Sequence, residues 1–291
     1  MTATLTPTPA STAPTPALTG DEPLGERVRT WCGDVAALTW RNLIHIRREP
    51  AQLSDATIQP ILFTVLFVEL FGSSMVLPGG GSYKMFAIGG MLVMNLTTAS
   101  VGTAVGLSSD LSTGVMDRFR TLPMARSAIL TGRTISDLLA AALCGTFVLT
   151  TGLVLGWRPA NGFLTILPAV AVGLLFSYAL SWAMACLGLL SSDPESAQAT
   201  AFVTVFPLAF LSSAMVPTNN LPLVLRVIAQ WNPVSAVAGA VREILGNPNP
   251  AALSNSFPNQ HPLLLVLGWS ALIIAVFAPL ATNLLKRKMT D

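Results

Sequence analysis

Few side chains in this sequence could do covalent chemistry. His45 and His261 are the only histidines and stand far apart, and Cys32, Cys144 and Cys186 have no CxxC spacing. Such a set supports neither a metal site, nor a His-based triad, nor a disulfide framework. Cys144 and Cys186 lie inside apolar runs and read as small hydrophobes. Phosphate chemistry is missing as well. There is no GxxxxGK[ST], and Pro78-Gly-Gly-Gly-Ser-Tyr-Lys84 lacks the spacing and the following polar helix that would cradle phosphates. A GxSxG elbow, an HExxH pair and a credible carboxylate dyad are absent too. The sequence reads as a chain without catalytic, metal or nucleotide-binding residues of its own.

The polar residues that remain lie inside apolar runs. Glu69 is an acidic side chain deep in one of them, where a carboxylate costs a few kcal/mol and usually has a partner or a role. It reads either as a contact for substrate or a neighbouring subunit, or as a protonated or paired group near Lys84 or Arg242. A second run carries Asn95, Thr97, Thr98, Ser100, Gly102, Thr103 and Gly106, and a fifth carries Thr200, Thr204, Phe206, Pro207 and Phe210. Small residues and hydroxyls of this kind build a packing seam between helices. Alternatively, Asn95, Thr98 and Thr103 face Thr204, Phe206 and Phe210 as walls of a path for an amphiphile.

The elements that must position these groups follow from composition. Hydrophobic residues make up 52% of the 291, charged residues 10%, and the mean hydropathy is +0.63. This is a membrane protein, because soluble domains carry roughly 25% charged residues. A net charge of +2 without a basic cluster excludes a nucleic-acid footprint. Apolar runs at 57–77, 86–107, 134–156, 163–190, 197–216 and 263–285 predict six spanning helices. Twelve of the sixteen Lys and Arg residues lie before the first run, between the second and third, or in the tail Lys286-Arg-Lys288. The positive-inside rule therefore places both termini in the cytoplasm of a multi-pass protein of the cell membrane.

Residues 1–23 form a Thr/Pro-rich tract expected to be a disordered tail. Residues 24–50 carry apolar residues at three- and four-residue steps (Leu24, Val28, Trp31, Val35, Leu38). With Trp31, Trp40, Arg41, Arg47 and Arg48 they predict an amphipathic helix in the headgroup plane. The transmembrane domain is read as 51–291. The 108–133 loop is its main inner connection, and Asp193-Pro-Glu195 is a second one, with Asp193 as helix cap and Pro194 at the first helical position. Residues 220–246 hold two short helical patterns broken at Asn232-Pro233, the second bearing Arg242 and Glu243. They predict a re-entrant hairpin on the outer side.

Taken together, Arg47-Arg-Glu-Pro50, the stretch from Gly114 through Asp117-Arg-Phe-Arg-Thr-Leu-Pro-Met-Ala-Arg126 with Gly132-Arg133 and Asp137, and Phe210 to Pro222 followed by Asn232-Pro233 and Arg242 resemble the ABC-2 family of ABC transporter permeases, near the daunorubicin-resistance type of drug and lipid exporters. Ala236 departs from the family, which often has a polar side chain there. The resemblance implies a half-transporter that pairs with a second protomer, either the same chain or a sister permease. It also implies docking on two separate ABC ATPase subunits, which bind ATP and Mg. The loop would then insert into the ATPase, with Phe119, Leu122 and Pro123 packing and Arg118, Arg120 and Arg126 as charged contacts. Export of a drug-like polyketide or a lipid, surrounded by membrane lipids, is the implied function. An ion-coupled secondary transporter is the alternative, and it would require several buried carboxylates.

Overall fold

The computed structural model describes residues 24–48, 50–72, 75–115, 126–218 and 221–288. Among them the chain is all α-helical. Helix α1 (Leu24–Arg48) precedes α2 (Pro50–Gly72), α3 (Tyr83–Ala99) and α4 (Val101–Ser112). Then come α5 (Arg126–Val154), α6 (Ile166–Leu190) and α7 (Pro194–Phe210), and after an irregular stretch α8 (Leu223–Trp231), α9 (Pro233–Leu245), the single turn α10 (Phe257–Gln260) and α11 (Pro262–Lys288). The 1–23 tail lies outside the described residues.

Among the described residues, four helices are long and apolar enough to cross a membrane: Tyr83–Ser112, Ala128–Val154, Phe163–Leu190 and Pro262–Lys288. The first of these joins α3 and α4 through Ser100. There the hydroxyls of Thr97, Thr98 and Ser100 bond back to Val93, Met94 and Thr97 carbonyls of their own helix, a pattern that bends helices without ending them.

The expectation of six spans is therefore corrected to four among the described residues. The runs at 57–77 and 197–216 each lose a terminal part. Helix α2 stops at Gly72, leaving the apolar stretch Thr57–Gly72, about 24 Å at 1.5 Å per residue against a hydrocarbon core of about 30 Å. Helix α7 has 17 residues and stops at Phe210, one turn after Pro207, and the chain from Leu211 leaves helical geometry. The re-entrant hairpin is corrected as well. Asn232-Pro233 does break the helix, but α8 and α9 do not fold back as a self-packed pair. Helix α9 packs instead among α3, α6 and α11, with Pro233 through Arg242 all buried. Its small side chains (Ser235, Ala236, Ala238, Gly239, Ala240) allow that insertion.

The core has two parts. The larger one joins α3, α5, α6 and α9 around Phe86, Ile88, Leu92, Phe176 and Val241. The smaller one gathers Leu38 of α1, Leu107 of α4, Ile129 and Leu130 of α5, Trp182 and Leu189 of α6 and Leu285 of α11. It lies at the end of the bundle where α4 and α5 lead into residues 116–125.

Candidate functional site

At that end a set of polar contacts fixes the base of the 108–133 segment. Arg133 donates from Nε to Asp137 Oδ2 at 3.1 Å and from Nη2 to the Gly102 carbonyl at 3.2 Å. Its guanidinium lies so close over Gly106 that a Cβ there would overlap it. The two glycines expected to form a packing seam thus differ: Gly106 seats an arginine, and Gly102 supplies an acceptor. Helix α1 is attached to the same base. Thr39 Oγ1 donates to the Gly132 carbonyl at 3.2 Å, Asn42 Nδ2 bonds Ser136 Oγ at 3.2 Å, and Arg41 pairs with Asp110 of α4 at 3.5 Å. Val35 and Leu38 of α1 are buried, Trp31 is half-buried, and Trp40 is 65% exposed. The side chains of Arg47, Arg48 and Arg126 lie outside the described residues, as do Arg118, Phe119, Arg120, Leu122 and Pro123 altogether.

Asp193 caps α7. Its carboxylate accepts from the Ser196 N–H at 2.8 Å, the Ser196 hydroxyl returns to the Asp193 carbonyl, and Pro194 takes the first helical position. The Ser196 N–H, aided by the Ser192 hydroxyl, holds the Asp193 carboxyl below the usual carboxylate range. Glu195 is exposed in the first turn, where a negative charge suits the helix dipole.

At the other end of α7 the broken backbone needs partners, and α9 provides them. Asn232 caps α9 through its Oδ1, which accepts from Val234 N–H at 2.8 Å. Its Nδ2 donates to the Leu208 and Leu211 carbonyls at 2.7 and 3.2 Å. Ser235 Oγ accepts from Ser213 N–H at 2.8 Å. Arg242, fully buried, donates to the Phe86 carbonyl at 3.1 Å, to Ser213 at 2.8 Å and to Ala214 at 2.6 Å, with its Cζ 3.7 Å from the Phe86 ring centre. Tyr83 OH donates to the Met215 carbonyl at 3.3 Å. Gly90 allows the Ala214 carbonyl to press against α3, where any Cβ would collide with main chain. Among the described residues no carboxylate pairs with Arg242. Its charge is balanced by three carbonyl dipoles and an aromatic face. Glu243, one residue on, is exposed.

Asn232, Ser235 and Arg242 fall within roughly 80° of one helix face at 100° per residue. Sequence reading singled out Asn232, Pro233 and Arg242 but missed Ser235. The available signal was this shared face opposite a proline-kinked, serine-rich helix end.

The candidate path residues are not gathered in one place. Glu69 is exposed on α2 and pairs with Lys84 at 3.1 Å. Asn95 and Thr98 are half-buried on α3, and their side chains bond the Met91 and Met94 carbonyls of the same helix. Thr103 is buried, its hydroxyl without a partner among the described residues. Thr204, Phe206 and Phe210 lie on the exposed side of α7, the two rings stacked with centres 4.1 Å apart. Helix α3 touches both α2 and α7. No group of three or more metal-ligating side chains occurs among the described residues.

The profile of the ABC-2 type transporter family matches residues 34–245. The chain is similar to the daunorubicin resistance ABC transporter permease protein DrrB1 of Streptomyces coeruleorubidus, 33% identical over 91% of this chain and 90% of that protein. It is also similar to the probable doxorubicin resistance ABC transporter permease protein DrrC of Mycobacterium tuberculosis, 26% identical over 84% and 85% of the two chains. The putative transport permease ycf38 of Pyropia yezoensis is 27% identical over 74% and 75%.

Proposed function

This chain belongs to the ABC-2 type transporter family, and from that premise we propose how a multi-pass permease subunit of an ABC-type transporter does its work here. It exports an amphiphile, drug-like or lipid, across the cell membrane with both termini in the cytoplasm. Two separate ABC ATPase subunits bind ATP and Mg and dock on the 118–126 segment. A second permease protomer completes the path.

The observation that carries the coupling part is the clamp of Arg133 on Asp137, Gly102 and Gly106. It ties α4 to α5 on either side of the proposed docking segment. Helix α1 is stapled to the same base through Thr39, Asn42 and Arg41. A push on the segment therefore moves α1, α4 and α5 as one lever. The exposed faces of α2 and α7, with Glu69 on one and Thr204, Phe206 and Phe210 on the other, are the surfaces a path would use. Nucleotide binding drives transport only if the ATPase holds the two arrangements of the lever with different affinity.

Membrane-extracted full-length chain is expected to co-purify with its ABC ATPase and to raise ATP turnover when an amphiphile is added. A chain that neither retains an ATPase nor alters its turnover overturns the proposal.

A further inference from the structure

Helix α11 is the most apolar of the four long helices, and most of its surface faces away from the protein. Beside its first turns lies a groove of about 330 Å³, with Trp231 and Phe257 on one side and Leu264, Gly268, Trp269 and Leu272 on the other. No charged or hydrogen-bonding aliphatic group enters it. Helix α8 has the inverted polarity of a surface in lipid. Arg226 bonds back to the Leu221 carbonyl just before its own helix and Gln230 bonds Ser254 Oγ, while Leu223, Val224, Val227, Ile228 and Trp231 are exposed. From Leu264 to Leu272 the groove runs about 12 Å along α11, within one leaflet of a hydrocarbon core about 30 Å thick.

Gly268 is the informative residue. A Cβ at this position meets nothing within 4 Å, so no close packing requires a glycine. Glycine is nevertheless unfavourable inside a helix. Gly268 is exposed and lines the groove, so no side chain occupies the groove at this position.

We propose that the groove between α8, α10 and α11 is a binding site for a phospholipid acyl chain, held in the leaflet opposite the Lys286–Lys288 end. Lipid around a span gives no hydrophobic driving force, so retention comes from shape and dispersion contacts along the chain. Trp231 and Trp269 flank the acyl chain with flat apolar faces, and their N–H groups suit the interfacial region. The site is separate from the coupling base and makes no use of the ATPase.

The test uses full-length protein in phosphatidylcholine vesicles doped with a phosphatidylcholine bearing a diazirine on one acyl chain. After illumination, peptide mapping compares adducts over 264–272 with adducts over 276–280, where Val276 and Leu280 are equally lipid-exposed on the same helix. Adducts are expected to be enriched several-fold over 264–272. Gly268→Leu, whose Cβ has open space and whose side chain would occupy the groove, is expected to remove that enrichment and leave 276–280 unchanged, while Gly268→Ala keeps most of it. Even labelling along α11, or enrichment indifferent to Gly268→Leu, overturns the proposal. So does an absence of adducts over 264–272, which would place protein rather than lipid over the groove.

Discussion

A buried guanidinium without a carboxylate keeps its place only while its carbonyl partners stay converged, so Arg242 separates charge from geometry. Arg242→Ala leaves the Phe86, Ser213 and Ala214 carbonyls without this donor inside the protein. Hydrogen bonds to charged groups are worth about 1.5–3 kcal/mol each, so the expected loss is about 3 kcal/mol or more, read as a lowered thermal midpoint of purified protein. Arg242→Lys keeps the charge but lacks the planar guanidinium on which the three carbonyls converge, and its midpoint is expected between those of Ala and wild type. A lysine variant as stable as wild type would mean that charge alone holds the junction. Glu69 belongs to the opposite regime. Its pair with Lys84 is exposed and worth at most about 1 kcal/mol, so Glu69→Gln is expected to leave the midpoint unchanged. Reduced export by Glu69→Gln at that unchanged midpoint would assign the carboxylate to substrate, whereas equal export would leave it structural.

Among the elements, the α4–α5 clamp yields a sharper contrast, because two glycines four residues apart predict different outcomes. Gly102→Ala adds a methyl into open space, and export is expected to remain at the wild-type level. Gly106→Ala displaces the Arg133 guanidinium, the far end of a flexible side chain, so the fold survives while the clamp is lost. Export is expected to fall by more than about tenfold, or ~1.4 kcal/mol in coupling, with the thermal midpoint nearly unchanged. Equal behaviour of the two variants would show that the clamp does not carry coupling. The existence of these helices was legible in the sequence, since hydropathy and period are local properties. Asp193 and Pro194 likewise announced the start of α7. The ends of α2 and α7 were not legible. The run Phe210 to Val216 is apolar apart from Ser212 and Ser213, and the partners that satisfy its non-helical backbone, the Asn232 and Arg242 donors and the Ser235 acceptor, lie on α9 more than twenty residues later. Hydropathy also could not distinguish a re-entrant hairpin packed against the bundle from α9 inserted among α3, α6 and α11, because both readings need the same small apolar side chains. The Gly102/Gly106 spacing was visible, but its partner proved to be an arginine, not a helix.

For the whole molecule, the proposal that energy enters from a separate ATPase makes the point of entry the feature around which the bundle is organised. Two groups of long-range polar ties bear on this, one at the α1–α4–α5 base and one at the junction held by α9. Helix α3, continuous with α4 through Ser100, connects them: Gly102 and Gly106 follow Ser100 at one end, and Phe86 and Gly90 meet Arg242 and Ala214 at the other. A displacement of the base can thus reach the exposed Phe206–Phe210 side of α7 through one continuous run, Tyr83–Ser112, about 45 Å long at 1.5 Å per residue. This route requires the proposed docking segment to be the only place where the ATPase pushes. Replacing Leu122 and Pro123 together by Glu puts two charges where apolar contact with the ATPase is proposed, and the membrane-embedded helices are untouched. Membrane insertion and the thermal midpoint are expected to match wild type, while ATPase co-purification and export are both lost. Export retained with both charges in place would move the point of entry elsewhere, to the exposed face of α1 or to the turn at Asp193.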